Sequence, residues 1–155
     1  CRINNYPRSS KEIAQIFNLD NTSATRGCKN AVSIINYLEK DLNIRDKTCF
    51  GTTTPDAFIA RHCSKLSLSP ELTKLCHFIA MRVQKKNLIP ENTPPSIAAG
   101  IIYFVAKICD LNKTKKDIRL VSNISEVTIN KCYKKLQELQ DDLIPKAIMQ
   151  KYGTV

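Results

Sequence analysis

A pattern of two helices joined by a tight turn opens twice in this chain, at Lys11-Glu12-Ile13 and again at Lys116-Asp117-Ile118. Similar sequence at two distant places is the mark of a structural repeat. The second copy is preceded by the long apolar run 97–106, whereas the first begins close to residue 1. We therefore expect the C-terminal helices of one helical repeat followed by a complete second repeat, cut from a longer protein.

Apolar residues recur every three or four positions through most of the chain, which is typical of helices packed on one face. No segment has the alternating pattern of a strand, so we predict an all-α fold. The run 97–106 is apolar nearly all round and should form the buried centre of a bundle. The predicted helices are Lys11–Asn18 (capped by Ser9 or Ser10), Ser23–Lys40, Pro55–Leu66, Pro70–Lys86, a helix from Thr93 or Ser96 to Cys109, Lys115–Ser122 and Ser125–Gln140.

The order of these helices predicts the domain organisation. Residues 1–40 form the C-terminal part of the first repeat, and residues 41–54, with Gly51 and a run of Thr, form the inter-repeat linker. Residues 55–140 form the second repeat. Residues 141–155 are expected to be a C-terminal tail with one helical turn after Pro145.

The chain is strongly basic. Its 24 Lys and Arg against 14 Asp and Glu give a net charge of +10 over 155 residues. Such an excess favours a polyanionic partner, although charged runs are also common on solvated surfaces, so charge alone leaves both interpretations open. Only four Gly and no Trp argue against a glycine-rich nucleotide site.

The seven cysteines are scattered, and none has the C-x-x-C spacing. Most lie in apolar helical stretches, as Cys109 and Cys132 do, so we expect buried, reduced cysteines rather than a disulfide framework. The pairs 62–63 and 76–77, each one His and one Cys, resemble metal ligands. Adjacent helical residues point about 100° apart, however, which favours ordinary packing over a metal site. We therefore predict no metal and no cofactor.

The second helix-turn-helix carries the candidate binding residues. Asn123 occupies the turn, where a positive φ is often needed, and Ser125 is placed to cap the following helix. A recognition helix reads base edges with residues near its N-terminus. Here these residues are Val127, Thr128, Asn130 and Lys131.

Each of these side chains has a defined chemistry toward DNA. Val127 can contact the methyl group of thymine, and Asn130 can form two hydrogen bonds with adenine. Thr128 and Lys131 suit phosphate or base contacts. Cations surround them and could hold the DNA backbone, against only Asp117 and Glu126; they are Lys113, Lys115, Lys116, Arg119, Lys134 and Lys135. Two-helix turns are also common in helical repeats that bind no DNA, and the lysines could be plain solvated surface.

Three motifs in this order resemble the transcription factor IIB (TFIIB) family. Its P-x-S-x-A-A-x-x-I-Y signature corresponds to residues 94–103, and its K-E-I…V-T-I-x-x-x-Y corresponds to residues 116–118 and 127–133. The opening residues 1–13 resemble C-R-x4-P-R-T-x-K-E-I, from the end of the family's first repeat. The resemblance covers about residues 1–140.

The resemblance implies a five-helix, cyclin-like fold, repeated. It also implies binding to the TATA-binding protein and to promoter DNA flanking the TATA element, so that RNA polymerase II is positioned. The family reads an upstream DNA element with the Val of V-T-I and the following Arg. Val127 matches, but Asn130 stands in the place of Arg and favours adenine over guanine. A loop in residues 21–28 is the expected counterpart of a second DNA contact, with Arg26 as the contacting residue.

Other functions are alternatives to this one. An enzyme is not expected, because neither histidine has a nucleophile and an orienting group in a plausible arrangement. A cyclin-type docking module without DNA reading and the related initiation factor of RNA polymerase III both remain alternatives. No run approaches the roughly 18 apolar residues of a membrane span, so no membrane is expected. We expect a monomer, in the nucleus or in the factory of a large DNA virus.

Overall fold

The computed structural model describes residues 1–4, 6–145 and 148, and the regular secondary structure within these ranges is entirely helical. The predicted all-α class is confirmed. The chain divides into two compact units, Cys1–Thr53 and a second that begins at Thr54. The first contains α1 (Ser10–Ile16) and α2 (Asn21–Leu38); the second contains α3 (Asp56–Lys65), α4 (Pro70–Lys85), α5 (Pro94–Ile108), α6 (Lys115–Ser122), α7 (Glu126–Glu138) and α8 (Gln140–Leu143).

In the first unit, α1 begins with a reciprocal cap. The Ser9 hydroxyl accepts the Glu12 N–H at 3.2 Å, and the Glu12 carboxylate accepts the Ser9 N–H at 2.8 Å. This arrangement satisfies two N–H groups that the first helical turn leaves without partners. Helix α1 packs on α2, and the small residues Ala14 and Ala24 are buried.

Helix α2 begins earlier than predicted. Asp20 accepts the backbone N–H of Ser23 at 2.8 Å, and the helix therefore starts at Asn21 rather than at Ser23. Asp is among the best residues for this capping position. The apolar residues Ile34 and Leu38 of α2 are exposed, and Ala24 is the residue of this helix that is buried among those the structure describes.

Helix α5 is the centre of the second unit. Every residue from Ser96 to Ala106 is buried, and α5 packs against α3, α4, α6 and α7. The predicted central helix is therefore confirmed. Large apolar side chains such as Phe58 and Ile79 reach this core from α3 and α4. Within the described ranges, no helix combines the length and apolar character that a bilayer crossing would need.

Helices α5 and α7 approach each other closely at Gly100. A Cβ added at Gly100 would overlap the Cβ of Cys132 on α7. Burial raises the pKa of the Cys132 thiol to about 11, so this side chain stays neutral and acts as a small apolar group. Glycine is unfavourable inside a helix, and here the close approach of two helices requires it.

The histidine and cysteine pairs lie where α3 meets α4. His77 Nδ1 contacts the Asp56 carboxylate, which joins the two helices, and Cys63 and Cys76 are buried in the core. Among the described residues, no group of three or more His, Cys, Asp or Glu could hold a metal ion. The positions of Cys63 and Cys76 are those of packing residues.

The segment after α7 differs from the predicted tail. Leu143 and Ile144 are buried and belong to the core of the second unit, so residues just beyond 140 pack with it. Their apolar side chains are covered because α8 packs against α4 and α7. The Ile148 N–H donates to the Pro145 carbonyl at 2.9 Å, and this hydrogen bond lies where one helical turn was predicted. The rest of that prediction, residues 146, 147 and 149–155, lies outside the described residues.

Candidate nucleic-acid interface

Helix α6 begins at a strong N-terminal cap. The Thr114 hydroxyl accepts the Asp117 N–H at 3.2 Å, and the Asp117 carboxylate accepts the Thr114 N–H at 2.7 Å and the Thr114 O–H at 2.7 Å. The hydrogen bonds from the Thr114 side chain and backbone lower the pKa of Asp117 below its usual range. Asp117 therefore stays ionised at neutral pH. Its negative charge in the first turn interacts favourably with the positive end of the helix dipole.

The turn between α6 and α7 has the predicted geometry. Asn123 ends α6 in the left-handed region, with φ 59° and ψ 21°. Asn accepts this conformation more readily than most residues. The buried Ser122 hydroxyl donates to the Ile118 carbonyl at 2.7 Å and accepts the Ile124 N–H at 3.3 Å. The turn is therefore held by hydrogen bonds on its inner side, which fixes where α7 starts.

Ser125 caps α7 as predicted. Its hydroxyl accepts the Thr128 N–H at 3.2 Å and lies 2.9 Å from the Thr128 hydroxyl. Thr128 is partly buried. Its hydroxyl is thus part of the helix cap, which limits how far Thr128 can serve the DNA contact that the sequence suggested.

Helix α7 has two distinct faces. Ile129, Cys132 and Leu136 are buried against the core. The opposite face begins with Val127, whose side chain is 66% exposed. Three predicted site residues follow at the spacing of a single helical face, with Asn130 half-buried and the two lysines exposed; they are Asn130, Lys131 and Lys134. The helix therefore presents an apolar tip, an amide and two cations on one side.

The remaining cations of the predicted patch differ in their availability. Lys116 is exposed on α6. Arg119 forms an ion pair with Glu126 at 3.3 Å, and Lys135 forms one with Glu91. Lys115 is half-buried, with its Nζ 5.5 Å from the centre of the Tyr103 ring. The exposed lysines of the predicted patch are therefore Lys116, Lys131 and Lys134.

Arg26 lies in the first unit, on α2. The structure places residues 21–28 in α2, so the loop that the resemblance implied there is absent from the described residues. The Asp20 cap draws this segment into the helix. Arg26 is exposed on the second turn of α2, where its side chain is accessible.

Sequence reasoning missed the role of Glu126. In the sequence it is only one of two acidic residues among the cations. In the structure its carboxylate pairs with Arg119 across the turn. The sequence signal for this pair was a cation, Arg119, in the first helix and an anion, Glu126, just after the turn.

This geometry suits the major groove of DNA. The groove is about 12 Å wide and accepts one helix, and a helix presents the residues of its first turns to the base edges. Val127 and Asn130 are the side chains so placed, and Lys116, Lys131 and Lys134 can neutralise phosphates.

Comparison with protein families identifies the second unit. The family model described as the transcription factor TFIIB repeat matches residues 50–139. The helices α3–α7 lie within this match, and their all-helical arrangement agrees with the predicted cyclin-like repeat. The match includes the whole of the α6–turn–α7 segment.

Individual proteins extend the similarity over nearly the whole chain. A putative transcription initiation factor IIB-like protein of Acanthamoeba polyphaga mimivirus is 34% identical over 136 residues, covering 88% of the chain and 29% of that protein. Transcription initiation factor IIB of Encephalitozoon cuniculi is 32% identical over 152 residues, covering 97% and 45%. The human factor of the same name is 28% identical over 145 residues, covering 94% and 42%. The chain thus spans less than half the length of these relatives.

Proposed function

The chain belongs to the transcription factor TFIIB family, and on that premise we propose that it acts as the core of a general transcription initiation factor. It binds the TATA-binding protein and the promoter DNA flanking the TATA element, and so helps to recruit and position RNA polymerase II. Its function is binding rather than catalysis of a reaction. It acts as a monomer, in the nucleus or in a viral factory. The viral factory is included because one of the relatives is a mimivirus protein.

The observation that carries this proposal is the outward face of α7. An exposed Val127 at the first turn serves no purpose in packing, because Ile129, Cys132 and Leu136 already bury the opposite face. Val127 leads a row of polar and basic side chains toward solvent. A module that only docked proteins would not need cations beside such a row.

The sequence preference follows from Asn130. The resemblance to the family implies an Arg at this position in related factors, and Arg pairs with guanine. Asn130 carries an amide, which pairs with the N6 and N7 atoms of adenine. We therefore expect the chain to prefer adenine rather than guanine at the upstream position that Asn130 contacts.

Replacing Val127 and Asn130 together by alanine is expected to lower the preference for the selected upstream sequence by about 10-fold or more, because each base contact is worth about 1 kcal/mol. Binding to unrelated DNA should change little, since the lysines remain. Fluorescence-anisotropy titrations give the dissociation constants for the upstream sequence and for unrelated DNA, and the preference is the ratio of the two constants. A matched control is Met81→Ala with Gln84→Ala, an exposed apolar and amide pair at the same spacing on α4. Equal ratios for the two double variants would refute the assignment of α7 as the reading helix.

The bridging function is tested by gel shift on a TATA-containing duplex, with and without the TATA-binding protein. We expect a slower band that requires the TATA-binding protein and that weakens when upstream base pairs are altered. No shift at low salt under either condition would favour a cyclin-type docking module instead. The initiation factor of RNA polymerase III remains the nearest alternative, and the names of the relatives favour the polymerase II factor.

The first unit contributes a second contact in this proposal. Arg26, exposed on α2, is the candidate to reach DNA downstream of the TATA element. Arginine suits a narrow minor groove because of its positive charge. Loss of protection downstream of TATA in a footprint of Arg26→Ala, with upstream protection unchanged, is the expected outcome.

A further inference from the structure

Glu126 is an acidic residue at the leading edge of a surface that is otherwise apolar and basic. It is the first residue of α7 and directly precedes Val127. It is also one helical turn before Asn130, so the two side chains are neighbours on the helix. Its side chain is 43% exposed. Any DNA that meets Val127 and Asn130 therefore also meets this carboxylate.

The Arg119–Glu126 ion pair does not explain this position as a matter of stability. The Arg119 Nη1 to Glu126 Oε1 distance is 3.3 Å, and the Arg119 side chain is 60% exposed. Pairs this open to solvent contribute little to folding. The pair places the Glu126 carboxylate beside Arg119 in the free protein.

The chemistry of a carboxylate restricts what it can contact in DNA. An ionised carboxylate only accepts hydrogen bonds, and it repels phosphate. In the major groove the hydrogen-bond donors are the exocyclic amino groups, N4 of cytosine and N6 of adenine. Guanine and thymine present acceptors there, beside which a carboxylate would lose its hydration without a replacement. Asn130 already provides the pairing that suits adenine.

We propose that Glu126 is a specificity-determining residue that accepts a hydrogen bond from the N4 amino group of cytosine, next to the base pair that Asn130 reads. On DNA, Arg119 leaves Glu126 and contacts a phosphate. Glu126 acts in part by exclusion, because it weakens binding to every sequence that lacks the amino group at that position. The inference rests on the proposed function, since it assumes that α7 enters the major groove.

Replacing Glu126 with glutamine removes the charge with almost no change in shape. Selection for cytosine at one upstream position should fall by about 5-fold or more, while selection at neighbouring positions is retained. Binding to random DNA should rise by about 3-fold, because one repulsive charge has been removed. The matched control is Glu138→Gln, the same change at an exposed position at the other end of α7.

The measurement is binding selection from a duplex library randomised upstream of a TATA element, with the TATA-binding protein present. If the wild-type chain selects cytosine at one position and only Glu126→Gln loses that selection, the inference holds. If both proteins select the same sequences, the inference is wrong while the proposed function stands. If the wild-type chain selects no upstream sequence, the proposed DNA reading itself fails.

Arg119→Ala separates base contact from a structural role. This variant loses the ion pair but keeps the carboxylate, so we expect cytosine selection to persist and the affinity for all duplexes to fall together. If Arg119→Ala abolishes cytosine selection as Glu126→Gln does, the ion pair acts as a scaffold and direct contact by Glu126 is contradicted. Thermal unfolding of both variants should stay close to that of the wild type, because the pair is exposed.

Discussion

Replacing Gly100 with alanine is expected to lower the free energy of unfolding of the second unit by about 2 kcal/mol, the range for overpacking a well-filled core. The added Cβ would overlap the Cβ of Cys132, so α5 and α7 must separate. These two helices form the most extensive helix pair of the unit, and α7 carries the proposed DNA-binding residues. Urea denaturation followed by circular dichroism measures the change.

Gly100→Ala is informative because the expected change in the free energy of unfolding has the opposite sign to that of an ordinary glycine-to-alanine change in a helix. In an open helical position, glycine to alanine stabilises by about 0.5–1 kcal/mol. Gly27 on α2 offers such a position, because a Cβ there would have no neighbour within 4 Å. Gly27→Ala should therefore stabilise the first unit while Gly100→Ala destabilises the second. A stabilised Gly100→Ala chain would show that α5 and α7 do not approach closely. Adding Cys132→Gly to Gly100→Ala should recover part of the loss, since it removes the overlapping atom.

Replacing Lys131 and Lys134 together by glutamate is expected to weaken DNA binding by about 100-fold near 0.1 M salt, because two phosphate contacts are lost and two repulsive charges are added. The loss should be similar for selected and unselected sequences, since phosphate contacts carry no sequence information. The slope of log affinity against log salt should become shallower by about 2. Anisotropy titrations at several salt concentrations provide both values.

Net charge is the obvious alternative cause, and α4 supplies the control. Lys74→Glu with Lys85→Glu changes the charge of the chain by the same amount, at two exposed positions on a different helix. If the α7 face binds the backbone, this control loses only the modest long-range attraction. Comparable losses for the two double variants would mean that the +10 charge acts as a diffuse field, and that α7 is not the binding surface.

The α6–turn–α7 segment could be predicted well because its signals are local. Asn at a left-handed position and Ser at a helix start act within a few residues of themselves, and both Asn123 and Ser125 have the predicted roles. The buried α5 could be predicted for a similar reason, since a helix that is apolar all round has no side to expose.

The pairing of charged side chains could not be predicted in the same way. The sequence does not show which cations of the patch form ion pairs. Lys135 pairs with Glu91, and Arg119 pairs with Glu126, because of how the helices pack. The burial of Leu143 and Ile144 depends likewise on the place where α8 meets α4 and α7. The start of α2 differs from the predicted Ser23 for a local reason, because Asp20 caps the helix and brings Asn21 and Thr22 into it.

The most direct test of the account is photo-crosslinking from α7 in a complex with the TATA-binding protein and promoter DNA. A photoreactive amino acid is placed at Lys131, exposed on the proposed DNA-binding face of α7, and in a control chain at Met81, exposed on α4. We predict crosslinks from position 131 to DNA upstream of the TATA element, dependent on the TATA-binding protein, and none from position 81. Absence of DNA crosslinks from position 131, or equal crosslinking from both positions, would contradict the claim that α7 reads the promoter.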